Sequence, residues 1–208
     1  MRTTNTRAAA LLAAMLLAGC ASTAPQYYSL AETAPIAPTA PTARMPAAGS
    51  NALLFIELAP VAMPERFARP QLVVRQKAAI DGPQVDVLEE HRWSSSFENE
   101  LRDALGSGIA GRLGAVDATR GGSPRGQPVV RIAVQLRQFD AVESSRIDAG
   151  FSWTLRRRDE GLPVACQLAL SEPVDGAGID ALARGTQRAT AKLADAIARS
   201  VTANACPG

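Results

Sequence analysis

Hydrophobic positions along the chain change period several times, and each change predicts an element. The run ALLFIELA (52–59) is apolar throughout and suits a buried strand. QLVVRQ (71–76) and QVDVLE (84–89) are β-rich and flank a turn at Asp81 to Pro83, which predicts a hairpin. From about Ser94 the period becomes helical. Phe97, Leu101, Leu105, Ile109 and Leu113 give one apolar face to a helix over 94–113. Ser95 and Glu98 are spaced as a capping box at its start. GSGIAG (106–111) weakens the other end, because each glycine costs about 1 kcal/mol against alanine in a helix. After a loop at 119–128 the chain alternates. Val130, Ile132, Val134 and Leu136 point one way, and Arg131, Gln135 and Arg137 the other, as in a half-buried strand. Phe151, Trp153 and Leu155 mark a further strand, and Val164, Cys166, Leu168 and Leu170 another. Ile179, Leu182, Ala189, Leu193, Ile197 and Val201 predict a closing helix over 178–202. This order implies an α+β fold: a mostly antiparallel or mixed sheet with two helices packed on one face. Residues 52–208 read as a single domain.

The chain ahead of that domain is of another kind. Arg2 and Arg7 form a basic start, an apolar stretch of signal length follows, and residues 1–19 read as a secretory signal too short to span a bilayer. LAGC, ending at Cys20, has the form and position of a bacterial lipobox; the alternative is an ordinary secretory signal with a chance cysteine. On the lipobox reading Cys20 becomes the first mature residue and carries N-acyl and S-diacylglycerol groups, palmitate among the chains. Buried acyl chains contribute about 0.8 kcal/mol per CH₂ and hold firmly when there are several. Ala21 and Ser22 follow, with no Asp at the second position, a context that goes with the outer membrane. From Cys20 to Asn51 the chain is rich in Ala, Pro and Thr and reads as an extended tether, able to span about 90 Å at roughly 3.1 Å per residue. YYSL (27–30) interrupts it and is expected to add a short strand to a sheet edge.

Charge and cysteine usage narrow the function classes. The chain has 22 basic and 20 acidic residues, and losing Arg2 and Arg7 with the signal leaves 20 of each, which argues against a nucleic-acid binder. With Cys20 assigned to lipid, Cys166 and Cys206 remain, and an oxidising periplasm favours a bridge between them over two free thiols. Catalytic groupings are missing. His91 is the single histidine and lies beside Ser94, Ser95 and Ser96, but no orienting acid or nucleophile-elbow motif accompanies it. One histidine and no close cysteine pair make a poor metal site. The glycines of TRGGSPRG lack the lysine and hydroxyl residue of a phosphate loop. The sequence therefore implies a non-enzymatic protein without cofactor.

LAPVAMPERFARPQLVVRQ (58–76) carries Pro60, Pro64 and Pro70 between strand-like ends. Proline donates nothing to a ladder, so the segment is expected to leave one strand and enter the next outside the sheet. Together with the lipobox at Cys20, YYSL, the block from Pro60 to Arg75, EEHRW ending at Trp93, and the closing helix, this layout resembles the PqiC/YmbA-type lipoproteins, the ABC-type transport auxiliary lipoproteins. The resemblance implies a protein at the periplasmic face of the outer membrane that works with an MCE-domain, PqiB-like partner in lipid transport. A homo-oligomeric ring would suit docking onto such a partner. Pro60, Pro64, Arg66, Phe67, Arg69, Pro70 and Trp93 are the motif residues and candidate partner contacts, with Phe67 either a core residue or an interface anchor. A second reading is a lipoprotein activator of a cell-wall synthase, which also uses a Pro-rich tether and a small α/β domain. A third, a periplasmic hydrolase, finds no residues to support it.

Overall fold

The computed structural model describes residues 24–31, 53–79, 82–157 and 161–207. The signal segment, Cys20 and most of the Pro-rich stretch lie outside the described residues. Eight strands, β1 (Gln26–Tyr28), β2 (Phe55–Leu58), β3 (Gln71–Val74), β4 (Asp86–Trp93), β5 (Val116–Asp117), β6 (Val129–Val142), β7 (Arg146–Arg157) and β8 (Val164–Pro173), surround two helices, α1 (Phe97–Leu113) and α2 (Gly178–Ala203). The strands divide between a three-stranded sheet, β1-β4-β3, and a five-stranded sheet, β5-β2-β6-β7-β8. The fold is α+β, with parallel pairs at β1–β4, β2–β5 and β2–β6 and antiparallel pairs elsewhere.

Long strands β6, β7 and β8 form the frame, and their alternation decides which face is covered. Ile147, Ala149, Phe151, Trp153 and Leu155 of β7 are all buried on the face where α2 packs. β7 begins well before the Phe151 that marks it in sequence. A tight turn after Val142, with Ser144 at φ 53°, returns the chain at once. Strand β6 carries a bulge. Leu136 faces Phe151, Gln138 faces Gly150, and Arg137 is the extra residue between them. Arg137 and Gln138 are consecutively exposed, after which Phe139 and Ala141 point inward. One added residue re-phases a strand in this way.

Helix α1 starts one residue later than a capping box at Ser95 and Glu98 would place it. Ser96 is the N-cap, and its side chain accepts from the Asn99 backbone N–H at 3.3 Å. Its other end runs to Leu113 and closes on Gly114 at φ 59°, the left-handed cap that favours glycine. The glycines that weaken α1 by propensity also let it approach its neighbours. A Cβ on Gly108 would meet the Ala194 Cβ of α2 at 3.1 Å, and one on Gly106 would meet the Asp117 carboxylate. Close helix–helix packing thus offsets the lost propensity.

The hairpin β3–β4 forms as expected, but β4 continues through EEHRW to Trp93. The two sheets are joined at Arg75: its N–H donates to Ala141 O at 2.8 Å and its carbonyl accepts from Glu143 N at 2.9 Å. Its guanidinium pairs with Asp140 at 3.0 Å and also bonds the carbonyl oxygens of Gly82 and Gln84, fixing the hairpin turn to the frame. Across the other end of the molecule Cys166 of β8 is bonded to Cys206 beyond α2, with Cα atoms 5.4 Å apart.

Candidate functional site

The Pro-rich connection from β2 to β3 does not leave the sheet cleanly. Ala59 N donates to Ile132 O, Ala62 N to Val134 O, and Leu136 N to Ala62 O, so the chain stays beside β6 as far as Ala62. Pro60 sits exposed in this run, between the bonds made by Ala59 and Ala62, and has no N–H to donate. Only after Ala62 does the backbone turn away, through a 3-10 turn at Glu65–Phe67. It re-enters at Pro70, whose carbonyl accepts from Trp93 N at 2.7 Å and opens the β3–β4 pairing.

The seven motif residues separate into two groups. Phe67 and Trp93 are inside, at 5% and 4% exposure. Phe67 meets Phe139 edge-on at 5.6 Å and Phe97 at 6.4 Å, while Trp93 stacks on Phe97 at 5.3 Å. Such aromatic pairs contribute about 0.5–1.5 kcal/mol each beyond area burial. The cavity left among Phe67, Trp93, Phe97, Phe139 and Leu182 is about 10 Å³, too small for any organic ligand. Pro60, Arg66, Arg69 and Pro70 are exposed, and Pro64 is half-buried. The Arg66 guanidinium lies 4.5 Å from the centroid of the Phe67 ring. A ledge of exposed arginines and prolines therefore rests on an aromatic floor. Beside it a groove of about 320 Å³ is bordered by Arg66, Val73, Pro83, Val85 and Asp140.

A second constellation involves YYSL and the serine cluster. Glu100 is buried on α1, yet it accepts from Ser29 Oγ at 3.0 Å, Leu30 N at 2.9 Å, Ser94 Oγ at 2.5 Å and Ser95 Oγ at 3.1 Å. The hydroxyls beside His91 thus cradle a carboxylate. His91 faces elsewhere, its Nδ1 2.9 Å from Tyr28 Oη. Tyr28 Oη also lies 3.0 Å from Asp180 Oδ1, and burial followed by the Asp180 hydrogen bond and charge pushes the phenol up to about 12. Glu100 is not among the residues the sequence singles out, although the sequence carries a signal for it. It stands three residues after Phe97 and four before Ala104, on the apolar stripe of α1, where a carboxylate must find partners.

Glu172 of β8 is the other buried carboxylate, at 3% exposure, held by Arg188 Nε and Lys192 Nζ, each at 2.5 Å. Burial alone would raise both acids. The Ser94, Leu30, Ser29 and Ser95 donors outweigh it at Glu100, and Lys192 and Arg188 outweigh it at Glu172, leaving both below their ordinary 4.5. Depressed carboxylates contribute stability that is complete above the unfolded value and lost as pH falls through the folded ones. Thermal melts are expected to be level from neutrality down to about pH 5 and to fall below about 4.5. Glu100→Gln with Glu172→Gln should lower the neutral plateau and flatten the acid limb; an unchanged limb would contradict the assignment.

Among the described residues no group of three or more His, Cys, Asp or Glu side chains could hold a metal, and no helix is long and apolar enough to cross a membrane.

A family model described as "ABC-type transport auxiliary lipoprotein component" matches residues 35–198, which takes in β2 through most of α2 and begins after β1. A crystal structure of an uncharacterized protein superposes with a TM-score of 0.63 at 17% identity, covering 86% of this chain and 99% of that one. A Xanthomonas campestris protein of the DUF330 family superposes at 0.53 and 13% identity, covering 73% of this chain and 84% of that one. At these identities the two structures show a shared fold. No curated protein matches in sequence.

Proposed function

The chain belongs to the ABC-type transport auxiliary lipoprotein family, and from that premise we propose that it is the lipid-anchored, non-enzymatic docking component of an MCE-type intermembrane lipid transport system. Its place on this reading is the periplasmic face of the outer membrane, with Cys20 as the acylated residue. The family match carries the proposal. The ledge supports it: Arg66 and Arg69 are presented on a braced, proline-bounded turn, and rigid segments lose little entropy on docking. Arginine is a residue type enriched at interface cores.

Two measurements test it. Cys20→Ser is expected to leave an uncleaved or soluble protein where the natural chain fractionates with the outer membrane after a salt wash. Retention of the variant in that fraction overturns the anchor. Capture of an MCE-domain protein from the same organism, compared with capture of a cell-wall synthase, separates the two functional readings. Arg66→Ala combined with Arg69→Ala should leave melting nearly unchanged and weaken capture by about 2 kcal/mol or more. Undiminished capture removes the ledge from the interface, and capture of the synthase alone replaces the transport reading.

A further inference from the structure

The interval between Cys20 and the folded body is much shorter than the Pro-rich composition suggests. Gln26, Tyr27 and Tyr28 pair in parallel with His91, Arg92 and Trp93, so the chain joins the body only six residues after Cys20. It stays joined through Ala31. Ser94 N donates to Tyr28 O at 2.7 Å, Leu30 is fully buried with its N–H on Glu100, and Gln187 of α2 donates to Ser29 O at 2.8 Å. One strand and both helices hold this segment. The longer stretch, 32–52, begins at residues fixed to the body and ends at β2, so by connectivity it closes a loop and adds nothing to the reach of the anchor.

We propose that β1 ties the body directly to the bilayer, so that the pole bearing Gln26, His91 and the first turn of α2 faces the lipid surface. This rests on the reading of Cys20 as the acylated residue. Six residues span at most about 20 Å, in place of the 90 Å that a continuous tether would allow. The direction of β1 fixes which pole this is. Because β1 and β4 are parallel, the chain toward Cys20 leaves past Glu90 and Glu89. Tyr28 bonds Asp180 in the first turn of α2, so that helix starts at the same pole. Its 26 residues carry it about 39 Å away. There Asn204, just past its end, lies beside the β7–β8 turn with Leu162, which is 95% exposed. The leash is thus shorter than the body is long, and the molecule has a membrane pole and a periplasmic pole. Glu89, Glu90 and Asp180 are exposed at the near pole and Glu89 pairs with Arg92 at 3.4 Å, so the proposal rests on the covalent attachment and not on charge.

The experiment uses acylated full-length protein in phosphatidylethanolamine–phosphatidylglycerol vesicles containing a nitroxide-headgroup lipid. A fluorophore is placed on Glu89→Cys or on Leu162→Cys, both exposed. Several-fold stronger quenching is expected at position 89. A flexible Gly-Ser insert of about 20 residues after Thr23 should abolish the difference, while the same insert after Pro41 should leave it intact. Equal quenching at the two positions in the uninserted protein, or sensitivity to the second insert only, overturns the proposal. Failure of the protein to float with vesicles instead overturns the acyl anchor itself, and the proposal with it.

Discussion

Phe67→Ala is expected to cost about 3–5 kcal/mol of stability, the range for removing a buried phenyl ring. The ring is 5% exposed and wedged between Phe97 and Phe139, so its loss opens a void bounded by β6, α1 and the Pro-rich connection. In a domain of this size that corresponds to a drop in melting temperature of roughly 10 °C. Arg66→Ala is the informative companion. Its guanidinium sits over the same ring at the surface, where such contacts contribute about 0.5–1 kcal/mol. Urea and thermal unfolding of the two variants should therefore differ widely. A Phe67→Ala protein that melts normally but no longer captures its partner would make the ring an interface anchor.

Breaking the Cys166–Cys206 bond is the second large effect. The loop it closes spans 40 residues, for which the chain-entropy model gives about 4 kcal/mol. Cys166 is buried against α2, and Cys206 follows the left-handed Asn204 that ends the helix. The bond therefore fastens the end of α2 to β8. Cys206→Ser should lower stability toward that figure and expose the last turns of α2 to amide exchange first. Non-reducing mass spectrometry of the mature protein should find a single internal bridge. Two thiols alkylated without denaturant would contradict the structure.

The sequence was informative wherever a period was long. The alternation from Val130 to Leu136 and the helical spacing from Ile179 to Val201 each mark an element correctly, because burial on one face selects residue type at every turn or pleat. EEHRW has no such alternation, since β4 is the centre of a small sheet with one face largely exposed, and its pattern does not announce a strand. The polar contacts were less legible still. Glu100 takes its donors from residues up to 71 positions away, and Tyr28 meets Asp180 across 152. Only the folded topology supplies such partners. Prolines are what the motif block shows in sequence, yet its inner half is fixed by Phe67 and Trp93, whose neighbours again come from β6 and α1.

The extra residue in β6 has a consequence for how length variation can enter this chain. Up to Leu136 even-numbered positions face inward, and from Phe139 odd-numbered ones do, so the strand changes parity midway. A single deletion earlier in the strand is absorbed when the bulge closes, and then only the residues between the two points change face. A deletion of Arg137 itself leaves a regular ladder, because Leu136 opposite Phe151, Gln138 opposite Gly150 and Phe139 opposite Ala149 are already successive pairs. The aromatic floor under the ledge and the helix-covered frame are thus two reading frames on one strand, and Arg137 is the one position there that can be lost with both still facing inward.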